Sequence, residues 1–270
     1  MLTLLIGVGA GILVGLLCGL TFAGGLWRTV LGLAAFFAVT IPINLAVKRR
    51  LEALFKGVQT MIEQQQGTMR RKVNLMAGKM MSSTKGLQRQ IEKQQEETVV
   101  QALRALDGVS RLRRWSPLAE RQANTLRAQL CFQIQDYEKA DEYFAKSFAL
   151  DPVTVAMKLV RLYQRGKRDE YDKLYRRSVK RFRGDKPVLL YALHSWVLVE
   201  EGKIDEAVAV LVEAKDRTEN ETLRSNWEHL VNGRTRSFSN AGLGDLWYAL
   251  HLETPKPVKV RQPRFGGRMR

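Results

Sequence analysis

The chain has 270 residues and carries 44 Lys+Arg against 27 Asp+Glu, a formal net charge of +17. Its 45% apolar content excludes a wholly disordered chain, and 7 Pro with 21 Gly exclude a collagen-like or proline-rich one. Two cysteines, Cys18 and Cys131, exclude a disulfide framework and a thiolate zinc site, and three histidines leave little material for a histidine metal site. We therefore expect neither a metal nor a cofactor.

The first segment is almost free of charge. No charged residue occurs from Leu2 to Phe22, and after Arg28 none occurs from Thr29 to Val47. About 20 apolar residues cross a bilayer as a helix, and a helix is required because lipid offers no partners to backbone amides. Residues 1–47 are therefore predicted to form two transmembrane helices joined by a tight turn.

Glycine recurs every fourth residue in the first apolar run, which places these residues on one helix face. A face without side chains lets another helix approach closely. We expect a tight hairpin within the chain, with a seam between two copies of the chain as a further arrangement. Small residues are also simply common in membrane helices. The glycines are Gly7, Gly11, Gly15 and Gly19.

Cations predict the orientation of these helices. Lys48, Arg49 and Arg50 directly follow the second run, whereas the connecting turn holds only Arg28. Positive charge stays on the cytoplasmic side, so we expect an inner-membrane protein with both termini and the remaining chain in the cytoplasm. A cleaved signal peptide is the alternative, but the residues after Met1 lack the cations that begin one.

Residues 48–115 are predicted to form a basic amphipathic helical stalk. Fifteen Lys+Arg stand against six Asp+Glu, and apolar residues recur at intervals of three and four from Leu51 to Ile62. A basic stalk of this kind can lie on anionic headgroups. Alternatively, it packs its apolar stripe on the downstream domain or on a second chain.

Residues 116–252 contain a series of short helices separated by turns. The turn positions Gln135, Gly166 and Gly202 are 31 and 36 residues apart. The segment Asp136–Pro152 resembles the second helix of a tetratricopeptide repeat, with Ala140, Phe144, Ser147 and Pro152 at its small, aromatic, small and closing proline positions. The segment from Gly202 to Ala214 is similar, whereas Tyr171 replaces the small residue in the middle unit. A generic array of helical hairpins is the alternative.

The resemblance implies an all-α chain in which a tetratricopeptide-like solenoid follows the membrane hairpin and the stalk. It also implies a concave groove, lined by the first helix of each pair, that binds a protein or peptide. The groove could instead be filled by the chain's own stalk, or its aromatic residues could belong to the core. The groove residues would be Gln122, Thr125, Gln129, Phe132, Tyr163, Ala192 and Trp196.

A second candidate surface is basic. Between Lys158 and Lys186 there are twelve Lys+Arg and four Asp+Glu. Such a density of cations could meet phosphate in RNA or anionic lipid, although a solvated helix face has the same composition. The candidate residues are Arg176, Arg177, Lys180, Arg181 and Arg183.

The end of the chain, residues 253–270, has three prolines, six Lys+Arg and one acid, and is predicted to be a disordered basic tail. No nucleophile–base pair and no phosphate-binding loop occurs along the chain, so we do not expect an enzyme. His194 and Cys131 lie at apolar helical positions, where packing is the expected role. The sequence predicts a membrane-anchored scaffold that binds a protein partner.

Overall fold

The computed structural model describes residues 2–21, 25–77, 84–112, 115 and 117–254. Every regular element in this part of the chain is a helix, which confirms the all-α prediction. The chain divides into two compact units, Met1–Ala149 and Leu150–Arg270. The domain boundaries that the sequence analysis places after residues 47, 115 and 252 stay predictions.

The first unit contains α1 (Leu2–Thr21), α2 (Gly25–Ala77), α3 (Thr84–Asp107), a 3₁₀ helix (Gly108–Leu112), α4 (Pro117–Gln133) and α5 (Tyr137–Ala145). The second unit contains α6 (Pro152–Gln164), α7 (Arg168–Arg181), α8 (Val188–Glu200), α9 (Ile204–Arg217), α10 (Glu221–Val231), two 3₁₀ turns (Thr235–Ser237 and Ala241–Leu243) and α11 (Asp245–Tyr248). The residues of the predicted hairpin turn at 22–24 and of the predicted tail at 255–270 lie outside the described residues.

Only one described helix meets the length and composition expected of a membrane span. It is the segment Thr29–Gln65 of α2, whose most apolar 18-residue stretch has a mean hydropathy of 2.2. Helix α1 is 20 residues long, and within it the side chains described without interruption form the apolar segment Leu5–Leu17. Helix α2 also continues through the predicted boundary at residue 47 without a break. By this criterion the described residues support one candidate span where the sequence analysis predicts two.

Helices α1 and α2 pack closely through small residues. A Cβ atom added to Gly11 would lie 3.0 Å from the carbonyl oxygen of Gly32, and one added to Gly7 would collide with the methyl group of Thr40. Gly15 is half-buried, and the surroundings of Gly19 fall outside the description. The absence of side chains at Gly7 and Gly11 is therefore what allows the two backbones to approach.

The apolar stripe of the predicted stalk lies in the core of the first unit. Val58 of α2 is buried, with Leu54 and Phe55 packed beside it, against Leu106 of α3 and Ala123 of α4. Burial of this stripe removes apolar surface from water at about 25 cal/mol per Å². The structure therefore favours the alternative in which the stalk packs on the downstream helices.

Arg127 of α4 is the central polar residue of this unit. The residue is 5% exposed, and its guanidinium group donates hydrogen bonds to the carbonyl oxygen of Leu106 at 2.8 Å and to the side-chain oxygen of Asn124 at 2.9 Å. The same group forms ion pairs with Glu120 and Asp107. A buried arginine needs this number of partners, and here they join the end of α3 to α4.

The turns between paired helices share one backbone conformation. Gln135, Gly166 and Gly202 have φ of 61°, 67° and 74°, and each is followed closely by the next helix. Asp136 caps α5 by accepting a hydrogen bond from the backbone amide of Lys139 at 3.3 Å. These three positions are the ones that the sequence spacing identifies as repeat turns.

Helix α5 is shorter than the sequence analysis predicts. It ends at Ala145, whereas the segment that resembles the second helix of a repeat extends to Pro152. The hydroxyl of Thr125 donates to the carbonyl oxygen of Phe148 at 3.0 Å and accepts from its amide at 3.2 Å. Because Thr125 occupies both backbone groups of Phe148, they are not available to continue the helix.

Helix α8 is the core of the second unit. It is buried along nearly its whole length and packs against α6, α7, α9 and α10, which explains why it is apolar on all sides. Arg217 of α9 donates hydrogen bonds to the carbonyl oxygens of Val179 and Phe182 at 3.0 and 3.2 Å, and to the hydroxyl of Tyr191 at 3.0 Å. This arginine joins α9 to the end of α7.

Candidate protein-binding surface

In the first unit, the predicted groove residues lie on α4 but differ in exposure. Gln122 is exposed, and Thr125 and Gln129 are half-buried. Phe132 is fully buried and packs edge-to-face on Tyr137, with ring centroids 5.5 Å apart. Phe132 is therefore a core residue of the α4–α5 pair, and Thr125 is engaged by the backbone of Phe148.

In the second unit, the structure brings two of the predicted residues together. The rings of Tyr163 on α6 and Trp196 on α8 meet edge-to-face with centroids 6.1 Å apart, and both side chains are half-buried. Ala192, one helical turn before Trp196, is fully buried. The candidate surface of this unit is therefore the exposed part of the Tyr163–Trp196 pair, without Ala192.

The chain's own C-terminal segment lies against this pair. The ring of Trp247 on α11 contacts that of Trp196, with centroids 6.0 Å apart and an angle of 65° between the planes. The side chain of Asn240 donates a hydrogen bond to the carbonyl oxygen of Ala192 at 3.0 Å, and accepts one from Asn226 at 2.9 Å. Trp247 and Asn240 are fully buried, so this segment closes the apolar face of α8.

Glu253 completes the contact. Its Oε1 accepts a hydrogen bond from the indole nitrogen of Trp196 at 2.8 Å, and its Oε2 accepts one from the indole nitrogen of Trp247 at 3.0 Å. The sequence analysis places Glu253 at the start of the predicted tail, and the structure shows its carboxylate hydrogen-bonded to these two indoles. The one signal in the sequence was that Glu253 is the single acid in an otherwise cationic segment.

The five residues of the basic candidate surface lie at the end of α7 and just after it, and all five are exposed. The opposite face of α7 is buried through Tyr171, Tyr175 and Val179. Arg181 stacks on the ring of Phe182 at 4.6 Å. The other four are Arg176, Arg177, Lys180 and Arg183, none of which forms an ion pair within the described part of the chain.

His194 and Cys131 are enclosed in the two cores. His194 packs on the ring of Tyr175, with centroids 3.8 Å apart, and its Nδ1 lies 3.2 Å from the hydroxyl of Tyr171. Burial, with the nearby charges of Arg168 and Arg176, lowers the pKa of His194 to about 4. Burial likewise raises the pKa of the Cys131 thiol to about 11, which keeps it protonated and unreactive at neutral pH.

No cluster of three or more His, Cys, Asp or Glu side chains suited to a metal ion occurs in the described ranges. Both tyrosines beside His194 have a raised pKa because they are buried. The side chains of Tyr171, Tyr175 and His194 are therefore uncharged at neutral pH.

Comparison with protein families identifies one match. The tetratricopeptide repeat model matches residues 122–154, which comprise most of α4, all of α5 and the start of α6. Comparison with the curated proteins and with the solved structures gives no match. The matched segment contains Asp136–Pro152, on which the sequence resemblance rests. Repeats of this kind pair helices around small residues and present a surface to protein partners.

Proposed function

We propose that this protein is a membrane-anchored helical-repeat scaffold that binds a protein or peptide partner on the cytoplasmic side of the inner membrane. The observation that carries the binding role is the tetratricopeptide match at residues 122–154, set in a chain of paired helices. The aromatic pair of Tyr163 and Trp196 is the part of the second unit best suited to anchor a ligand.

The apolar surface of α1 and α2 supports the membrane anchor. Leu5 and Leu16 of α1 are 71% and 70% exposed, and Ile41 of α2 is 60% exposed. Exposed apolar residues on this scale are unfavourable in water and favourable against lipid. We propose that both helices enter the bilayer as a hairpin, with the glycine contact between Gly7, Gly11 and α2 inside it.

Alkaline extraction of membranes that contain the full chain tests the anchor. An integral hairpin stays in the membrane pellet after carbonate and high-salt washes, whereas a peripheral protein is released. Release by salt alone would contradict the anchor. Labelling of single cysteines placed near the two ends of the chain then tests whether both face the cytoplasm.

Photocrosslinking tests partner binding. With a photoreactive residue in place of Gln122 or Tyr163, we expect the intact chain in membranes to capture a defined partner protein. The change Trp196→Ala should reduce that capture by roughly 30-fold, because truncation of an aromatic hot-spot residue costs about 2 kcal/mol of binding free energy. Trp227→Ala on α10 is the matched control, and equal loss in both variants would count against the aromatic surface.

A second candidate function rests on the exposed cations of α7. Arg176, Arg177, Lys180 and Arg183 have no acidic partner in the described structure and lie within eight residues. Such a face could hold RNA or anionic lipid through phosphate, with binding that falls steeply as salt rises. The double change R176E/R177E should abolish this binding, whereas R234E/R236E, an equal charge change at other exposed arginines, should leave it intact.

A further inference from the structure

Two indole N–H groups converge on one point of the second unit. Trp196 donates to one oxygen of the Glu253 carboxylate at 2.8 Å, and Trp247 donates to the other at 3.0 Å. The two rings are held edge-to-face by their own contact. The pair is therefore a preformed set of two donors whose spacing fits the two oxygens of a carboxylate.

The chemistry of the donors restricts what can bind there. An indole nitrogen donates a hydrogen bond and cannot accept one, so any occupant must present acceptors to both rings. A carboxylate does so with its two oxygens, whereas an amide presents one oxygen and an unwanted donor. Within the described part of the chain the hydrogen-bond donors to the Glu253 carboxylate are these two neutral indoles.

The backbone beside Glu253 is in a strained conformation. His251, two residues earlier, has φ of 55°, in the left-handed region that favours glycine over other residues. This strained residue lies where the chain turns back after α11, and the turn brings Glu253 to the indole nitrogens of both rings. A separate peptide could place its own carboxylate there without that turn.

We propose that the indoles of Trp196 and Trp247 form a binding site for an acidic side chain of a partner peptide, and that Glu253 fills this site in the absence of the partner. The half-exposed ring of Tyr163 lies beside Trp196 and supplies an apolar wall. The fitting ligand is an acidic residue next to an apolar one, as in the chain's own Leu252–Glu253. This inference rests on the proposed function and names the chemistry of its ligand.

The test uses the purified full chain in detergent and a synthetic peptide of residues 250–256, Leu-His-Leu-Glu-Thr-Pro-Lys. The change Glu253→Ala empties the site, so this variant should bind the peptide at least about tenfold more tightly than the unchanged protein. A peptide with Gln in place of Glu should bind about tenfold more weakly, because one charged hydrogen-bond acceptor is lost.

A variant of Trp196 tests whether the preference for the acidic peptide depends on the indole N–H group. Trp196→Phe keeps an aromatic ring and removes the donor, so in the Glu253→Ala background it should remove the preference for the acidic peptide. Equal binding of the two peptides by Glu253→Ala would overturn the proposal, and so would a preference that survives Trp196→Phe.

A measurement on the unchanged protein covers the case in which Glu253→Ala does not fold. At high concentration the acidic peptide should shift the indole ¹H–¹⁵N signals of Trp196 and Trp247 and leave that of Trp227 in place. Unmoved signals at saturating peptide would overturn the proposal.

If partner capture depends on Trp196 but the two peptides bind equally, only the carboxylate site fails. If the peptide preference holds without partner capture, only the proposed function fails.

Discussion

His194 shows what burial does to a single titratable residue. Its ring is sandwiched in the core of the second unit against Tyr175, and its pKa lies near 4 because the charged form is poorly solvated there. The apolar residues around His194 in the sequence were sufficient to predict that it packs in a core. Its stacking on Tyr175 depends on α7 and α8 lying side by side, which residue spacing alone does not specify.

This burial predicts a pH dependence of stability. The folded-state pKa is below the unfolded value of 6.5, so the unfolded chain takes up the proton first as pH falls. The contribution to the free energy of unfolding is complete above pH 6.5 and is lost as pH falls towards 4, by about 3 kcal/mol in total. Urea unfolding at several pH values should show this loss.

His194→Phe supplies the comparison, because it keeps a ring in the core and cannot be protonated. The difference between the free energies of unfolding of the two proteins should then change between pH 6.5 and 4 and be constant above pH 6.5. A difference that is independent of pH across this window would show that His194 is already charged or exposed in the fold. Because the carboxylates titrate in both proteins, their contribution cancels in this difference.

At the scale of the element, the turns between helices follow from the local sequence. Gly166 and Gly202 adopt the left-handed conformation that ends a helix, and a Cβ atom at either would meet no other atom within 4 Å. Any effect of a side chain there therefore comes from the backbone conformation alone. The sequence predicts these turns well because glycine at a helix end has a local physical cause.

Gly166→Ala should lower the free energy of unfolding by about 1 kcal/mol, because alanine pays the steric cost of the left-handed region. Gly57→Ala is the matched control, since Gly57 lies inside α2 with equally open surroundings and there alanine is favoured by about 1 kcal/mol. Thermal unfolding followed by circular dichroism should show a lower midpoint temperature for Gly166→Ala and a higher one for Gly57→Ala. A gain of stability in both variants would contradict the assigned turn.

Element ends that depend on distant residues were not predictable in this way. The pattern from Tyr137 to Leu150 is helical throughout, yet α5 ends at Ala145 because Thr125 binds the backbone of Phe148. Thr125 lies on the preceding helix, 23 residues earlier. The helix propensity of residues 137–150 depends only on those residues. It contains no information about a side chain on another helix that competes for their backbone hydrogen bonds.

At the scale of the whole molecule, the chain divides into two compact units, each with its own buried core. Arg127 lies in the first and joins α3 to α4 through hydrogen bonds and ion pairs. Loss of this side chain leaves several buried acceptors without a partner, which costs roughly 2–4 kcal/mol.

Arg127→Met should therefore speed hydrogen exchange in α3 and α4 and leave exchange in α8 and α9 unchanged, as measured by mass spectrometry on the full chain. Arg104→Met is the control, because Arg104 is exposed near the end of α3. Acceleration of the same size in α8 and α9 would mean that the two units do not unfold separately.

The sequence by itself determined the helical class, the apolar amino-terminal segment and the positions of the repeat turns. The helical class follows from a period of three to four apolar residues, the apolar segment from composition, and the turns at Gly166 and Gly202 from glycine at a helix end. The resemblance to tetratricopeptide repeats also placed Tyr163 and Trp196 on one predicted groove face, at equivalent positions of successive units.

Only the tertiary structure decided which candidates face outward and what covers them. Phe132 and Ala192 are buried, although their spacing matches that of the exposed candidates. Glu253 reaches Trp196 across 57 residues of chain. Burial and such long-range hydrogen bonds depend on how the helices pack within each unit, and that packing is a property of all its side chains together.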